Sequence, residues 1–268
     1  MQDGLSFKRA SLFWFGIFFI SACASSVSPP EVSPEERLRR DPGFNSQLSD
    51  QLERRLKIKK DPVVSIFLRK VAVQLAESSS EFNGAPLGVW LFQDEKGKFS
   101  SYSLPGNRIY LSVDLLRNLR FENEVAAVLG IQLGHLLQRD LLLRYLKGSQ
   151  LKSQARLTSS LSVFPEDLGA TSFDYWGFNG LFAFDEEAYL SAAKISVSLL
   201  YQAGYDPRGI LSLFKIFQNN SKQSPYELST ISKMIEQVRF EIAKQPPLLS
   251  PIVRSQAFVE IQRRMQNL

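Results

Sequence analysis

The run ENEVAAVLGIQLGHLLQRDLLLRYLK over residues 122–147 constrains the chain more than any other stretch. Val125, Val128, Leu129, Leu133, Leu136 and Leu137 recur at helical spacing, and Gly148 follows as a stop signal. The spacing predicts one long helix over 122–147. Glu122 and Glu124 fall in its first turn, where the helix dipole favours carboxylates. Two glycines four apart, Gly130 and Gly134, share one face. A glycine inside a helix costs about 0.8–1.0 kcal/mol relative to alanine, so the pair predicts an element packed very close to that face. The chain's single histidine, His135, follows the second glycine.

The stretch ENEVAAVLGIQLGHLLQRD resembles the active-site helix of the M48 family of zinc metallopeptidases, which reads approximately E-x-E-L-A-A-V-L-A-H-E-x-x-H. In that register the family's first zinc histidine falls on Ile131, its catalytic glutamate on Gln132 and its second zinc histidine on His135. In H-E-x-x-H two histidines four apart hold zinc on one helix face, and the glutamate is the general base for the metal-bound water. Ile131 has no lone pair to offer, and Gln132 can hydrogen-bond a water but cannot take its proton.

A second segment, DEEAYLSAAKISVSLLYQAGYDP, resembles the family's E-x-E-A-D-R-x-G helix followed by a-G-Y/F-D-P. The resemblance puts the third zinc ligand, a glutamate, at Tyr189, the following aspartate at Ala193 and the next arginine at Lys194. A catalytic zinc takes three protein ligands and an open position, and of these the resemblance leaves His135 alone. Asp185 lies one turn before Tyr189, about 5.4 Å along the axis. Zinc–oxygen bonds are about 2.0–2.2 Å long, so Asp185 reaches the old site only if the helix slips in register. Otherwise Asp185, Glu186 and Glu187 form an acidic first turn.

A third segment, SLPGNRIYLSVDLL, is similar to the family's edge strand beside the active-site helix. Such an edge holds an extended peptide by strand addition, which implies a groove for a protein or peptide client beside residues 108–111 (Arg108, Ile109, Tyr110, Leu111). The family's T-H-P finds no histidine here, only Gln245-Pro246-Pro247 and Ser250-Pro251.

The amino end reads as a targeting segment. Lys8 and Arg9 precede an apolar run, ASLFWFGIFFI, that is short for a membrane-spanning helix. Ile20-Ser21-Ala22-Cys23 then resembles the bacterial lipobox, which makes Cys23 the lipidated first residue of the mature protein; the alternative is an ordinary cleaved signal. Cys23 is the only cysteine, so no intrachain disulfide forms. Ala24 rather than Asp follows it, which implies the outer membrane, facing the periplasm. The expected organisation is a signal peptide over 1–22, a lipidated tether with a helical entry at Ser33-Pro34 over 23–45, and a peptidase-like domain over 46–268.

Within that domain the pattern predicts a helix from Asp61-Pro62 to about Glu77 and strands over 88–93, 101–104 and 108–111. Further helices are expected before AGYDP and over 208–219, 227–244 and 251–265. Residues 150–174 are poorly patterned, and the aromatic stretch FDYWGFNGLFAF over 173–184 reads as core or lid-like packing. The implied fold is α+β, mostly helical and zincin-like, with a small sheet beside the central helix. A net charge of +5 without a basic run interleaved with aromatics gives nucleic-acid binding little support, and no nucleic-acid partner is expected. With no second histidine and no cysteine outside the lipobox, Ser–His or Cys–His catalysis has little material.

The expected function is an inactive M48-like envelope lipoprotein that binds protein partners and needs no cofactor. The alternatives are a working zinc metalloendopeptidase with displaced ligands (His135 with Asp185 or Glu186) and a structural envelope lipoprotein.

Overall fold

Three proline-preceded starts set the helices of the first half. Ser33 accepts from the Glu36 amide at 3.2 Å and opens α1, Pro34–Arg40. Asp41 accepts from the Gly43 amide at 2.8 Å and opens α2, Pro42–Glu53. Asp61 accepts from the Val64 amide at 3.0 Å and opens α3, Pro62–Glu77. In each, a short polar side chain satisfies an orphan donor and the proline that follows is pre-set for the first helical position. The structure, a computed structural model, describes residues 33–80, 82, 86–158 and 180–268. The leader with Cys23, and residues 173–179 of the aromatic stretch, lie outside the described residues.

Strand β1, Lys57–Lys59, precedes α3; β2, Gly88–Gln93, β3, Ser101–Leu104, and β4, Arg108–Ser112, follow it. Next come α4, Val113–Asn118, α5, Glu122–Gln138, and α6, Asp140–Thr158. The last four helices are α7, Glu186–Gln202, α8, Arg208–Asn219, α9, Leu228–Ala243, and α10, Gln256–Gln266. The result is a mostly helical α+β domain with one small mixed sheet. Its compact unit runs from Ser33 to Leu268, so α1 and α2 belong with the body rather than with a tether ending at residue 45. Among the described residues no helix is long and apolar enough to cross a membrane.

The sheet order is β1-β2-β4-β3, with β2 and β4 parallel and the two outer pairings antiparallel. Strand alternation divides its side chains between two cores. Val89, Leu91, Ile109 and Leu111 join the main core with α3, α5, α7 and α8. Phe92, Leu104 and Tyr110 face the other way, onto Phe44, Leu48 and Leu52 of α2 and Leu141 and Leu142 of α6. The strand 108–111 was expected to border the client groove, but it is interior. Arg108 pairs with Gly88 on one side and Leu104 on the other, which uses both rows of backbone groups. The edge beside α5 is β3.

Helix α5 is buried from Glu122 to His135 on every face, which explains why its sequence is apolar nearly all round. The two acidic residues at its start do more than complement a dipole. Glu124 accepts from the Arg120 and Phe121 amides at 2.6 and 3.1 Å. Glu122 accepts from the Tyr205 hydroxyl at 3.2 Å and from the Ser255 amide at 2.8 Å. The AGYDP segment thereby ties α7 to the start of α5. Its backbone also pairs with the carboxyl-terminal segment, Asp206 N–H to the Ile252 carbonyl at 3.0 Å.

The single long helix expected over 122–147 is broken. Arg139 takes a left-handed conformation with φ 62°, so α5 ends at Gln138 and α6 starts afresh at Asp140. The apolar periodicity is similar on both sides of the break, which hides it in the sequence. Helix α6 then continues to Thr158, into residues that lack an amphipathic pattern. Three further elements went unpredicted. Helix α2 carries few apolar residues, β1 is three residues long with two lysines, and α4 is a single short helix after β4.

The glycine pair does what its spacing implies. A Cβ on Gly134 would sit 2.8 Å from the Ala192 carbonyl oxygen and 2.9 Å from Ala192 Cα, both backbone atoms of α7. A Cβ on Gly130 would meet Leu200 Cδ1 at 2.8 Å, the end of a flexible side chain. Gly134→Ala is therefore expected to destabilise by about 1–3 kcal/mol through overpacking, against a helix-propensity gain of about 1 kcal/mol. Gly130→Ala should cost less, because Leu200 can rotate away. Urea unfolding of the two purified variants checks the ranking; a Gly134→Ala protein as stable as the parent would contradict the close backbone contact.

Candidate functional site

The contact of α5 with α7 brings His135 and Tyr189 face to edge, with ring centroids 5.8 Å apart and planes at 87°. His135 lies in the last turn of α5 and is 3% exposed. Its Nδ1 lies 2.6 Å from Oδ2 of Asp140, itself buried. Residues five apart in a continuous helix point about 140° away from each other. The pair can form only because Arg139 breaks the helix between them. Asp140 was not predicted as a site residue, since on an unbroken helix it faces away from His135.

Gln132 stands one turn earlier on α5, and its amide donates to the Ser101 hydroxyl on β3 at 2.9 Å. Gln132 thus pins α5 to the edge strand. Ile131 is 2% exposed within the main core, where an apolar side chain is what the surroundings accept.

Tyr189, at the position of the family's third ligand, turns its hydroxyl to the segment just before α7. It accepts from the Phe184 amide at 2.9 Å and donates to the Phe182 carbonyl at 3.3 Å. Burial pushes the Tyr189 phenol above its ordinary range, so it remains protonated and able to donate. The Phe184 ring lies 4.8 Å from the His135 ring, and Phe182 lies 4.5 Å from Tyr102 on β3.

Asp185 does not turn toward His135. It is exposed and caps α7, accepting from the Ala188 amide at 3.0 Å. Glu186 pairs with Lys233 on the surface at 2.7 Å. Of the residues singled out in the sequence, His135, Gln132 and Tyr189 come together, Ile131 is withdrawn into the core, and Asp185 is turned to the helix start.

These residues line a groove of about 480 Å³, walled by Ser101, Tyr102 and Ser103 on the β3 side and by Phe182, Phe184 and Tyr226 opposite. A second cavity of about 580 Å³ lies beyond His135 and Ser103, lined by Arg39, Arg40, Arg139 and Leu141 among others.

The side chains present do not fit a catalytic zinc. Among the described residues no three His, Cys, Asp or Glu side chains cluster to hold a metal. His135 has its Nδ1 held by Asp140, Ile131 offers no donor atom, and the Tyr189 hydroxyl is engaged with two backbone groups. The Gln132 amide cannot accept a proton at neutral pH. What the arrangement can do is bind: a polar floor at Ser101, Ser103 and Gln132, aromatic walls, and an edge strand beside them.

Comparison with known families agrees with the frame. The sequence model of peptidase family M48 matches residues 68–251, well over half the chain, and the chain belongs to that family. No curated protein matches it.

Removing either member of the His135–Asp140 pair leaves the other buried without its partner, at a cost of about 1–3 kcal/mol. In a double-mutant cycle of His135→Ala and Asp140→Ala, thermal unfolding should give a coupling of at least about 0.5 kcal/mol. Additive effects would show that the two side chains do not depend on each other.

Proposed function

We propose that this M48-family chain is a peptidase frame turned to binding, which holds an extended protein segment in the groove between β3 and α7 without cleaving it. The observation that carries this reading is the use now made of the family's chemical positions. Gln132 fastens α5 to the edge strand, and Tyr189 fastens the segment before α7, so both maintain the groove rather than a metal. Strand β3 has no strand on its outer side among the described residues, which suits addition of an extended peptide.

The test is metal content and proteolysis of the purified protein after incubation with zinc and desalting. The expected result is zinc near zero per chain and no metal-dependent cleavage of an unfolded polypeptide. One zinc per chain, lost in His135→Ala and accompanied by cleavage, would overturn the reading.

One observation favours the runner-up, a zinc peptidase with displaced ligands. A carboxylate on one imidazole nitrogen is how metal-binding histidines are commonly oriented, and Asp140 is so placed on His135. Against it, Asp185 would have to leave its cap and Glu186 its lysine.

The proposal extends to location. Lipidation at Cys23 would hold the domain at the outer membrane, facing the periplasm, where its clients would be unfolded or assembling envelope proteins. Labelled palmitate should be incorporated by the parent and not by Cys23→Ser; equal labelling of both would remove the anchor from the proposal.

A further inference from the structure

We infer that the groove selects polypeptide segments with two aromatic residues two positions apart, and that residues 182–184 are its built-in competitor. The inference rests on the reading of the groove as a peptide site and names what that site takes.

The chain's own Phe182-Ala183-Phe184 forms one wall of the groove and covers the rings of Tyr102 and His135. Phe182 sets its ring 4.5 Å from Tyr102, on the edge strand. Phe184 sets its ring 4.8 Å from His135 and 5.9 Å from Tyr189. Both are half-buried, while Ala183 between them is exposed. The two rings are thus the covered part of the segment and the residue between them the open part.

The backbone of this segment is held by one phenol. Tyr189 accepts from the N–H of Phe184 and donates to the carbonyl of Phe182, at 2.9 and 3.3 Å. These two groups flank Ala183 and exist in any such tripeptide whatever its middle residue. The groove therefore has two aromatic seats, one at Tyr102 and one at His135, and between them a clamp indifferent to side chain. Aromatic rings gain specific offset or edge contacts that aliphatic side chains of similar size do not, so the seats discriminate by ring and by spacing.

The ring contacts to Tyr102 and His135 and the two hydrogen bonds of Tyr189 are contacts that an incoming aromatic-x-aromatic segment can repeat. The internal segment has the advantage of being tethered, which raises its effective concentration over a free peptide. A client must then compete for the seats, and removing the internal rings must strengthen its binding.

The test uses fluorescently labelled peptides with a Phe-Ala-Phe core in a Ser/Thr background, and a same-composition control with a Phe-Phe-Ala core. Anisotropy is read with the full chain and with Phe182→Leu/Phe184→Leu, which keeps apolar cover over the second core but removes both rings. Phe182→Ala/Phe184→Ala serves as a second variant, with circular dichroism to check its folding. The expected result is that the Leu variant binds the Phe-Ala-Phe peptide about tenfold tighter than the parent does. It should also prefer that peptide over the control by a similar factor, and adding Tyr189→Phe should weaken this binding.

Equal binding of both peptides by the Leu variant would overturn the aromatic selection while leaving the groove a peptide site. Equal affinity of parent and Leu variant for the Phe-Ala-Phe peptide would overturn the competition. If neither peptide nor an unfolded polypeptide binds any of the proteins, the peptide-site reading falls and this inference with it.

Discussion

The backbone of α5 approaches the backbone of α7 at Gly134 and Ala192 closely enough that a methyl group would not fit. Much of the site follows from this one contact. It fixes the separation and rotation of the two helices, and so sets Tyr189 against His135. Close helix packing of this kind is rigid because few rotamers or backbone shifts can relieve it. The same contact explains why two glycines, each unfavourable for helix formation, sit in the most buried helix of the domain.

Within that frame the residues at the positions singled out by the resemblance each have a structural use. Ile131 fills the main core with an apolar side chain. Gln132 has an amide that can donate, which a carboxylate at neutral pH cannot, and it donates to Ser101. Tyr189 adds ring area toward His135 and a hydroxyl that reaches the next segment of chain. A metal site organises its surroundings by holding side chains around a cation. Here hydrogen bonds and ring contacts organise the junction of helix, helix and edge strand.

His135 illustrates how a retained residue can change its neighbours. Its Nδ1 partner, Asp140, is brought in by the left-handed turn at Arg139. That turn ends one helix and starts another, and the buried pair ties the two across the break. The Arg139 side chain reaches back to Glu35 at 2.8 Å, which joins the break to α1. The amino-terminal helices, the helix junction and the groove are thus one connected region, with His135 and Ser103 forming the partition between the groove and the cavity behind it.

The residues by themselves determined the M48 frame, the order of helices and strands from Asp61 on apart from α4 and the break between α5 and α6, the close contact at Gly130 and Gly134, and the departure from H-E-x-x-H at Ile131 and Gln132. These are local or pairwise properties, written in periodicity, caps and the chemical type of a side chain. The tertiary structure alone decided the rest. The His135–Asp140 pair depends on the left-handed turn at Arg139, since the two side chains meet only after the chain turns. The placement of Arg108 to Leu111 in the sheet interior depends on which strands pair, since an edge and an interior strand can share one apolar pattern. The capture of Phe182 and Phe184 by Tyr102, His135 and Tyr189 joins residues from β3, α5 and α7. No spacing along the chain encodes such a meeting, because it is fixed by the packing of elements far apart in sequence.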